Sequence, residues 1–377
     1  MSPVVIDLQN TDDARDAIHR TVQILAEGKL AVFPTETVYG VAASARHGEA
    51  VDRLLAAKSR AEGHPLTLAI KSADDALDYV PGMNDMSARL ARRCWPGPVT
   101  LVMDGSHPNS LIRQLPENVQ KVIAPVGKVG LRVPAHQLIL DVLRLTPGPL
   151  VLSSANRSGQ PAPSTAEEAI EQLGDDVDII LNDGKCQFGQ PSSVVEIDGN
   201  ELNLLRAGVV SESNLGRLAS MLVLLVCTGN TCRSPMAEVL CRNLISKKLN
   251  CEMDALEDHG VMVMSAGVAA MPGGRPSPEA VEVMATLDLV LDGHVAQPLS
   301  ERLANYADVI FTMTNSHREA IVRQWPHLAS NVQVLRVDNG DVSDPIGGSL
   351  EVYEACARQI QGELEQRIAK LDLPQPK

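Results

Sequence analysis

The sequence predicts an α/β protein of two domains, a twisted α/β sheet followed by a doubly wound parallel sheet. Three observations carry this. The chain is 377 residues long, beyond the usual span of one hydrophobic core. Short apolar runs alternate with amphipathic stretches along the chain, and after Met221 the alternation becomes strict, which implies parallel pairing through helical crossovers. Hydrophobic residues make up 44% of the chain and aromatics only 2%, so the cores must be built from Val, Leu, Ile, Ala and Met.

The elements follow in order. Residues 12–27 are amphipathic, with Ile18, Val22 and Leu25 on one face, and are expected as a helix. Residues 30–33 form an apolar strand that ends in Pro34-Thr35-Glu36-Thr37. Further strands are expected at 66–70, 99–103, 130–133, 150–153, 179–181, 194–197 and 202–205, with helices at 50–58, 86–94, 136–145 and 165–173. The polar residues 211–220 read as a linker between a domain at 1–210 and a second at 221–377. Beyond it, strands at 222–226, 261–265, 308–313 and 332–337 each precede a helix, at 235–247, 278–287, 316–325 and 350–371.

Composition excludes some functions. A net charge of −14 opposes tight, non-specific nucleic-acid binding, and so few aromatics leave little to stack bases on. The apolar run 221–226 is far too short to span a bilayer. The N-terminus lacks the charged-then-apolar layout of a signal peptide. Seven cysteines, an odd number in a chain this long, are expected as reduced thiols of a cytoplasmic protein. No spacing suggests a metal site.

The segment Val226-Cys227-Thr228-Gly229-Asn230-Thr231-Cys232-Arg233-Ser234-Pro235 joins a buried strand to a helix, at the end where parallel sheets bind ligands. Pro235 suits the first helical turn and Ser234 an N-cap. Gly229 suits a positive φ, which Asn230 also tolerates. Amides at such a helix start bind phosphoryl oxygens, and the same field favours the Cys227 thiolate as a nucleophile. Arg233, with its planar fork, can hold two phosphoryl oxygens. A structural cysteine ahead of a helix would read the same at this level.

The whole string resembles the low-molecular-weight protein phosphatases, and the resemblance runs through the second half of the chain. It implies Asp344, in Asp344-Pro345 before the last helix, as general acid beside Cys227 and Arg233. It also implies that Asn230 orders the loop and that Ser234 hydrogen-bonds Cys227. Ser265-Ala266-Gly267 matches as well. No cofactor is implied, and the substrate is a phosphorylated protein. Within the class, CTGNTCRSPMAE is most similar to protein-arginine phosphatases, in which Thr at the position of Thr231 replaces the Ile or Leu of tyrosine phosphatases. Phospho-arginine is the expected substrate and phospho-tyrosine the alternative. Ile346 departs from the Phe often found in arginine-specific members. Arsenate reductases share the loop but add a Cys pair on a later loop, and no Cys occurs between Cys251 and Cys356. Cys232 is expected to be able to form a protective disulfide with Cys227 under oxidation.

The first half has neither a standard phosphate-binding loop nor a dinucleotide fingerprint. It carries polar strings instead: Phe33-Pro34-Thr35-Glu36-Thr37-Val38-Tyr39-Gly40, Lys58-Ser59-Arg60, Leu131-Arg132-Val133-Pro134, Ser153-Ser154-Ala155-Asn156, Pro191-Ser192-Ser193 and Leu205-Arg206-Ala207-Gly208. Singly these are ordinary, since Lys-x-Arg is usually a solvated helix end and Ser-Ala-Asn a turn. In this order they resemble the YrdC-like threonylcarbamoyl-AMP synthases across about residues 10–210. The resemblance implies synthesis of threonylcarbamoyl-AMP from L-threonine, bicarbonate and ATP, for use by downstream tRNA-modification enzymes. It assigns Lys58, Arg60, Asn156, Ser164 and Arg206 to ATP, and Thr35, Arg132, Ser154 and Ser192 to threonine, with Arg132 on the carboxylate. Mg²⁺ would be carried by phosphate oxygens and water, because no carboxylate cluster is present. His64 reads as an exposed loop residue. The competing reading is a non-catalytic nucleotide- or RNA-binding module, against which stand the retained Lys58, Arg60, Ser154 and Asn156.

Overall fold

The computed structural model describes residues 3–10, 13–59, 65–291 and 293–374; Arg60 and His64 lie outside them. The chain divides into two units, Met1–Ala219 and Ser220–Lys377. In the first, the strands are β1 (Val4–Asp7), β2 (Ala31–Phe33), β3 (Gly40–Ser44), β4 (Thr67–Ala69), β5 (Val99–Asp104), β6 (Lys128–Arg132), β7 (Leu150–Ser154), β8 (Ile179–Asn182), β9 (Ser193–Asp198) and β10 (Glu201–Arg206). They form one sheet in the order β1-β8-β2-β3-β7-β4-β6-β5-β9-β10. Helical crossovers make some pairs parallel, as β4 with β6, and hairpins make others antiparallel, as β2 with β3.

Alternation along each strand divides the core between the two faces. Val32 packs in the cluster that includes Leu54, Leu90 and Ala169 of the helices Gly48–Ala57, Asp85–Cys94 and Ala166–Leu173. Its neighbours Ala31 and Phe33 pack instead with Leu25 and Leu143, from Ala14–Ala26 and Gln137–Leu145. Two strands were not expected. β1 is short and largely exposed, and β3 is made mostly of small residues buried along its whole length, so neither shows alternation.

The expected linker at 211–220 is a correction. Residues Glu212–Ala219 form a helix whose Leu215 and Ala219 enter the first unit's core. Its last carbonyls are capped from another helix: Arg89 Nη1 donates to Ala219 O and Arg93 Nη1 to Leu218 O, both at 2.7 Å. Two apolar anchors in a polar stretch were too sparse a signal to read as a helix.

In the second unit β11 (Met221–Cys227), β12 (Val261–Gly267), β13 (Val309–Thr312) and β14 (Val332–Val334) lie in the order β12-β11-β13-β14, all parallel. β11 is buried throughout. Val223, Leu225 and Cys227 face the helices Arg233–Leu249, Pro278–Ala285 and Leu350–Ala369. Leu222, Leu224 and Val226 face Glu301–Tyr306 and Asn315–Gln324. This is the doubly wound sheet the strand–helix alternation demanded. No described helix is long and apolar enough to cross a membrane.

Candidate active sites

In the second unit, β11 ends at Cys227 and a helix begins at Arg233. The five residues between them form a closed loop around the Cys227 sulfur. Asn230 N donates to Cys227 Sγ at 3.2 Å, and Ser234 Oγ lies 3.0 Å from it. Inside the loop the sulfur thus accepts from an amide and pairs with a hydroxyl. Asn230 holds the turn with every polar group it has. Its Nδ2 donates to Ser234 Oγ (2.9 Å) and Ser265 Oγ (2.8 Å), and its Oδ1 accepts from Gln297 N (2.9 Å). Its carbonyl meets His294 Nε2 at 3.0 Å, and Ser265 in turn donates to Glu238 at 2.6 Å. Asn230 therefore adopts φ +55°; the left-handed residue is Asn230 and not Gly229. Ser234 is also not the cap. It lies inside the helix, whose N-cap Cys232 makes no side-chain capping bond, because its hydroxyl is committed to Cys227 and Asn230.

Arg233 is buried, and its Nη2 donates to the half-exposed Asp344 carboxylate at 2.5 Å. The guanidinium is thus held between the loop and the expected acid. Thr228 is exposed and Thr231 half-buried, with Thr231 Oγ1 3.6 Å from Cys232 Sγ. Cys232 lies 3.5 Å from Tyr353 Oη, and Cys227 and Cys232 are free thiols. Ile346, two residues after Asp344, is 71% exposed. The structure brings all nine predicted residues of this half together.

In the first unit the central strands border a cavity of about 240 Å³. Thr67, Thr100, Gly130, Arg132 and Ser154 floor it, with Thr35, Ser192 and Arg206 on its walls. Arg206 fixes one wall, its Nη2 donating to Ser192 O (2.7 Å) and Oγ (3.1 Å). Arg132 is buried against Glu36, with Nη2 2.7 Å from Glu36 Oε1 and 2.9 Å from Thr37 Oγ1, while Nε donates to Gly97 O. Glu36 Oε2 accepts from Ala135 N.

Lys58 does not line this cavity. It is buried and donates to Ser154 O (2.5 Å) and Asn156 O (2.7 Å), clamping the loop after β7. Asn156 Nδ2 is bonded to Arg157 O and Gln160 O, while its Oδ1 is buried without a partner. Ser164 is bonded to Glu168 and is not on the cavity wall. Sequence reasoning missed Glu36, although it lies inside a quoted string. It also missed His294 and His317, whose contacts with the loop come from far along the chain and leave no local signal. Among the described residues there is no cluster of three or more acidic, His or Cys side chains placed to hold a metal ion.

Comparison with known proteins divides at the same place. The sequence model of the Sua5/YciO/YrdC family, described as telomere recombination, matches residues 23–208, and that of low-molecular-weight phosphotyrosine protein phosphatases matches 222–375. A Mycobacterium tuberculosis protein, provisionally named a threonylcarbamoyl-AMP synthase, is 34% identical over 56% of this chain and 93% of its own length. The chain spans about half the length, 52%, of the Pyrococcus abyssi threonylcarbamoyl-AMP synthase it also matches at 35% identity. A Bacillus subtilis protein-arginine-phosphatase is 38% identical over 40% of this chain and 93% of its own. A solved structure of a P. abyssi Sua5 variant aligns with 88% of this chain and 98% of that one, at 22% identity and a TM-score of 0.52, a likeness of fold alone.

Proposed function

Because the first half of this chain belongs to the Sua5/YciO/YrdC family and the second to the low-molecular-weight phosphotyrosine protein phosphatases, we propose a bifunctional enzyme. Its first unit makes threonylcarbamoyl-AMP from L-threonine, bicarbonate and ATP, for tRNA modification by downstream enzymes. Its second unit is a cysteine-dependent protein phosphatase acting on phospho-arginine.

The observation that carries the phosphatase reading is the sulfur of Cys227 accepting from the Asn230 amide and paired with the Ser234 hydroxyl, beside the Arg233–Asp344 pair. Cys227 attacks phosphorus in line, the bond to the leaving group breaks, and a phosphocysteine forms. Arg233 turns from Asp344 to the phosphoryl oxygens, which it stabilises together with the loop amides. Asp344, released from the ion pair, takes up a proton from solvent and gives it to the leaving group, and the carboxylate so formed then takes one from the water that frees phosphate.

The synthase reading rests on the cavity over the central strands. Arg132, with its Nη1 donors uncommitted among the described residues, suits an amino acid carboxylate. The unpartnered Asn156 Oδ1 suits a nucleotide donor. Lys58 acts there by fixing the Ser154–Asn156 loop. Mg²⁺ enters as part of the ATP substrate.

On this reading the half-buried Thr231, two residues before Arg233, borders the leaving group and favours phospho-arginine, since a hydroxyl can pair with a guanidinium and an aliphatic side chain cannot. The exposed Ile346 offers no ring to stack on a phenol, and it also departs from the Phe often found in arginine-specific members. Matched phospho-arginine and phospho-tyrosine peptides decide between them. The parent should prefer phospho-arginine and Thr231→Ile should reverse the preference; a parent that prefers phospho-tyrosine sinks the arginine reading. Pyrophosphate release that requires both threonine and bicarbonate tests the synthase.

A further inference from the structure

His317 reaches the phosphate loop from another element. It lies in the first turn of the helix Asn315–Gln324 and is 5% exposed. Its Nε2 is 2.8 Å from Thr228 Oγ1 and its Nδ1 2.9 Å from Thr314 Oγ1. Thr314 is itself fixed as the cap of that helix, accepting from His317 N. We propose that His317 is a positioning residue of the phosphatase, setting the Thr228 hydroxyl at the mouth of the phosphate loop before substrate arrives. The inference rests on the phosphatase reading above.

Thr228 is the residue after the nucleophile, and its side chain is exposed. An exposed threonine otherwise exchanges among staggered rotamers. Here two elements bracket it. On the β12 side its carbonyl accepts from Ala269 N at 3.0 Å. From the opposite element, the imidazole takes its hydroxyl. Burial and the Arg233 guanidinium push the His317 pKa down to about 4, against the pull of Asp344 and Asp341, so the ring is neutral near neutral pH. A neutral imidazole has one N–H and one lone pair. Whichever nitrogen carries the proton, the ring bonds both threonines, donating to one and accepting from the other. A group held this way is ordered before binding, which is the condition for an oriented site. A ring that merely filled space under the helix would have no need of both nitrogens.

The test uses the full chain, p-nitrophenyl phosphate as substrate and vanadate as an oxyanion probe. Parent and Cys227→Ser are compared first; hydrolysis that does not depend on Cys227 overturns the phosphatase reading and this inference with it. Given Cys227-dependent turnover, Thr228→Val and His317→Leu should each lower kcat/KM about tenfold, with vanadate binding weakened in parallel. The double variant should fall no further, because both remove one interaction. Thr228→Ser and His317→Gln, which keep a hydroxyl and a polar partner, should stay within about threefold of the parent. Thr228→Val keeps the shape of an exposed residue, so it reports even if His317→Leu fails to fold. A Thr228→Val enzyme equal to the parent, or losses that add in the double variant, overturns the inference.

Discussion

Arg132 meets the first-unit cavity with three of its five donors already bound, one by Glu36, one by Thr37 and one by Gly97. Glu36 therefore decides where the remaining Nη1 donors point. Replacing it with Gln keeps the shape but weakens a charge-assisted bond worth about 1.5–3 kcal/mol. Glu36→Gln should raise the KM for threonine by about ten- to a hundredfold and leave that for ATP unchanged. Pyrophosphate release measured against each substrate checks this, and an equal rise for both would make Glu36 a general scaffold residue. His317 poses a different question, because its folded pKa of about 4 lies below the ordinary 6.5. As pH falls through that window the unfolded chain takes up a proton that the folded chain refuses. Unfolding is thereby favoured as pH falls, by on the order of 3 kcal/mol at the limit, with no contribution above the window and no further loss below it. The urea midpoint of the second unit's transition, followed from neutral pH to about 4, should drop more steeply for the parent than for His317→Gln.

At the scale of elements, the loop after β11 depends on the end of β12. A Cβ on Gly267 would sit 2.4 Å from Thr228 O and 3.0 Å from Asn230 N, closer than backbone atoms allow. Gly267→Ala should therefore open the phosphate loop and lower hydrolysis by at least about a hundredfold, a loss of roughly 3 kcal/mol in transition-state stabilisation. The first unit's pyrophosphate release should be untouched. Hydrolysis at the parental rate would mean that the loop is not seated on β12. Gly267 illustrates what the sequence reveals. Cys227 and Arg233 are legible because strand–loop–helix chemistry is local, whereas Asp344 and the string Ser265-Ala266-Gly267 are legible only through the family resemblance, Asp344 lying 111 residues beyond Arg233. β3 was not legible, because a strand buried on both faces and made of small residues has no alternation to detect. The cap expected at Ser234 was misplaced, because the Cys227 sulfur competes for the serine hydroxyl that would otherwise cap the helix, whereas the ordering role of Asn230 and the Ser234–Cys227 bond are as the resemblance implied. Glu36 and His317 stayed hidden as functional groups, since their partners lie 96 and 89 residues away.

For the whole molecule the consequence is that each unit carries its own core. The buried clusters of the first unit end at Ala219 and those of the second begin at Met221, with no shared member. Residues 1–219 and 220–377, produced separately, should each fold, the first keeping pyrophosphate release and the second phosphate release. The position of the cut is what tests the boundary. A first piece ending at residue 210 would leave out the helix Glu212–Ala219, and with it the fully buried Leu215 and the carbonyls that Arg89 and Arg93 cap. Exposing one Leu pocket costs roughly 1.5–3 kcal/mol, and the loss of the two bonds from Arg89 and Arg93 adds to that. The 1–219 piece should thus exceed the 1–210 piece in unfolding free energy by at least about 2 kcal/mol, read from urea midpoints at equal m-values. Equal stability of the two would return residues 211–219 to the role of a linker.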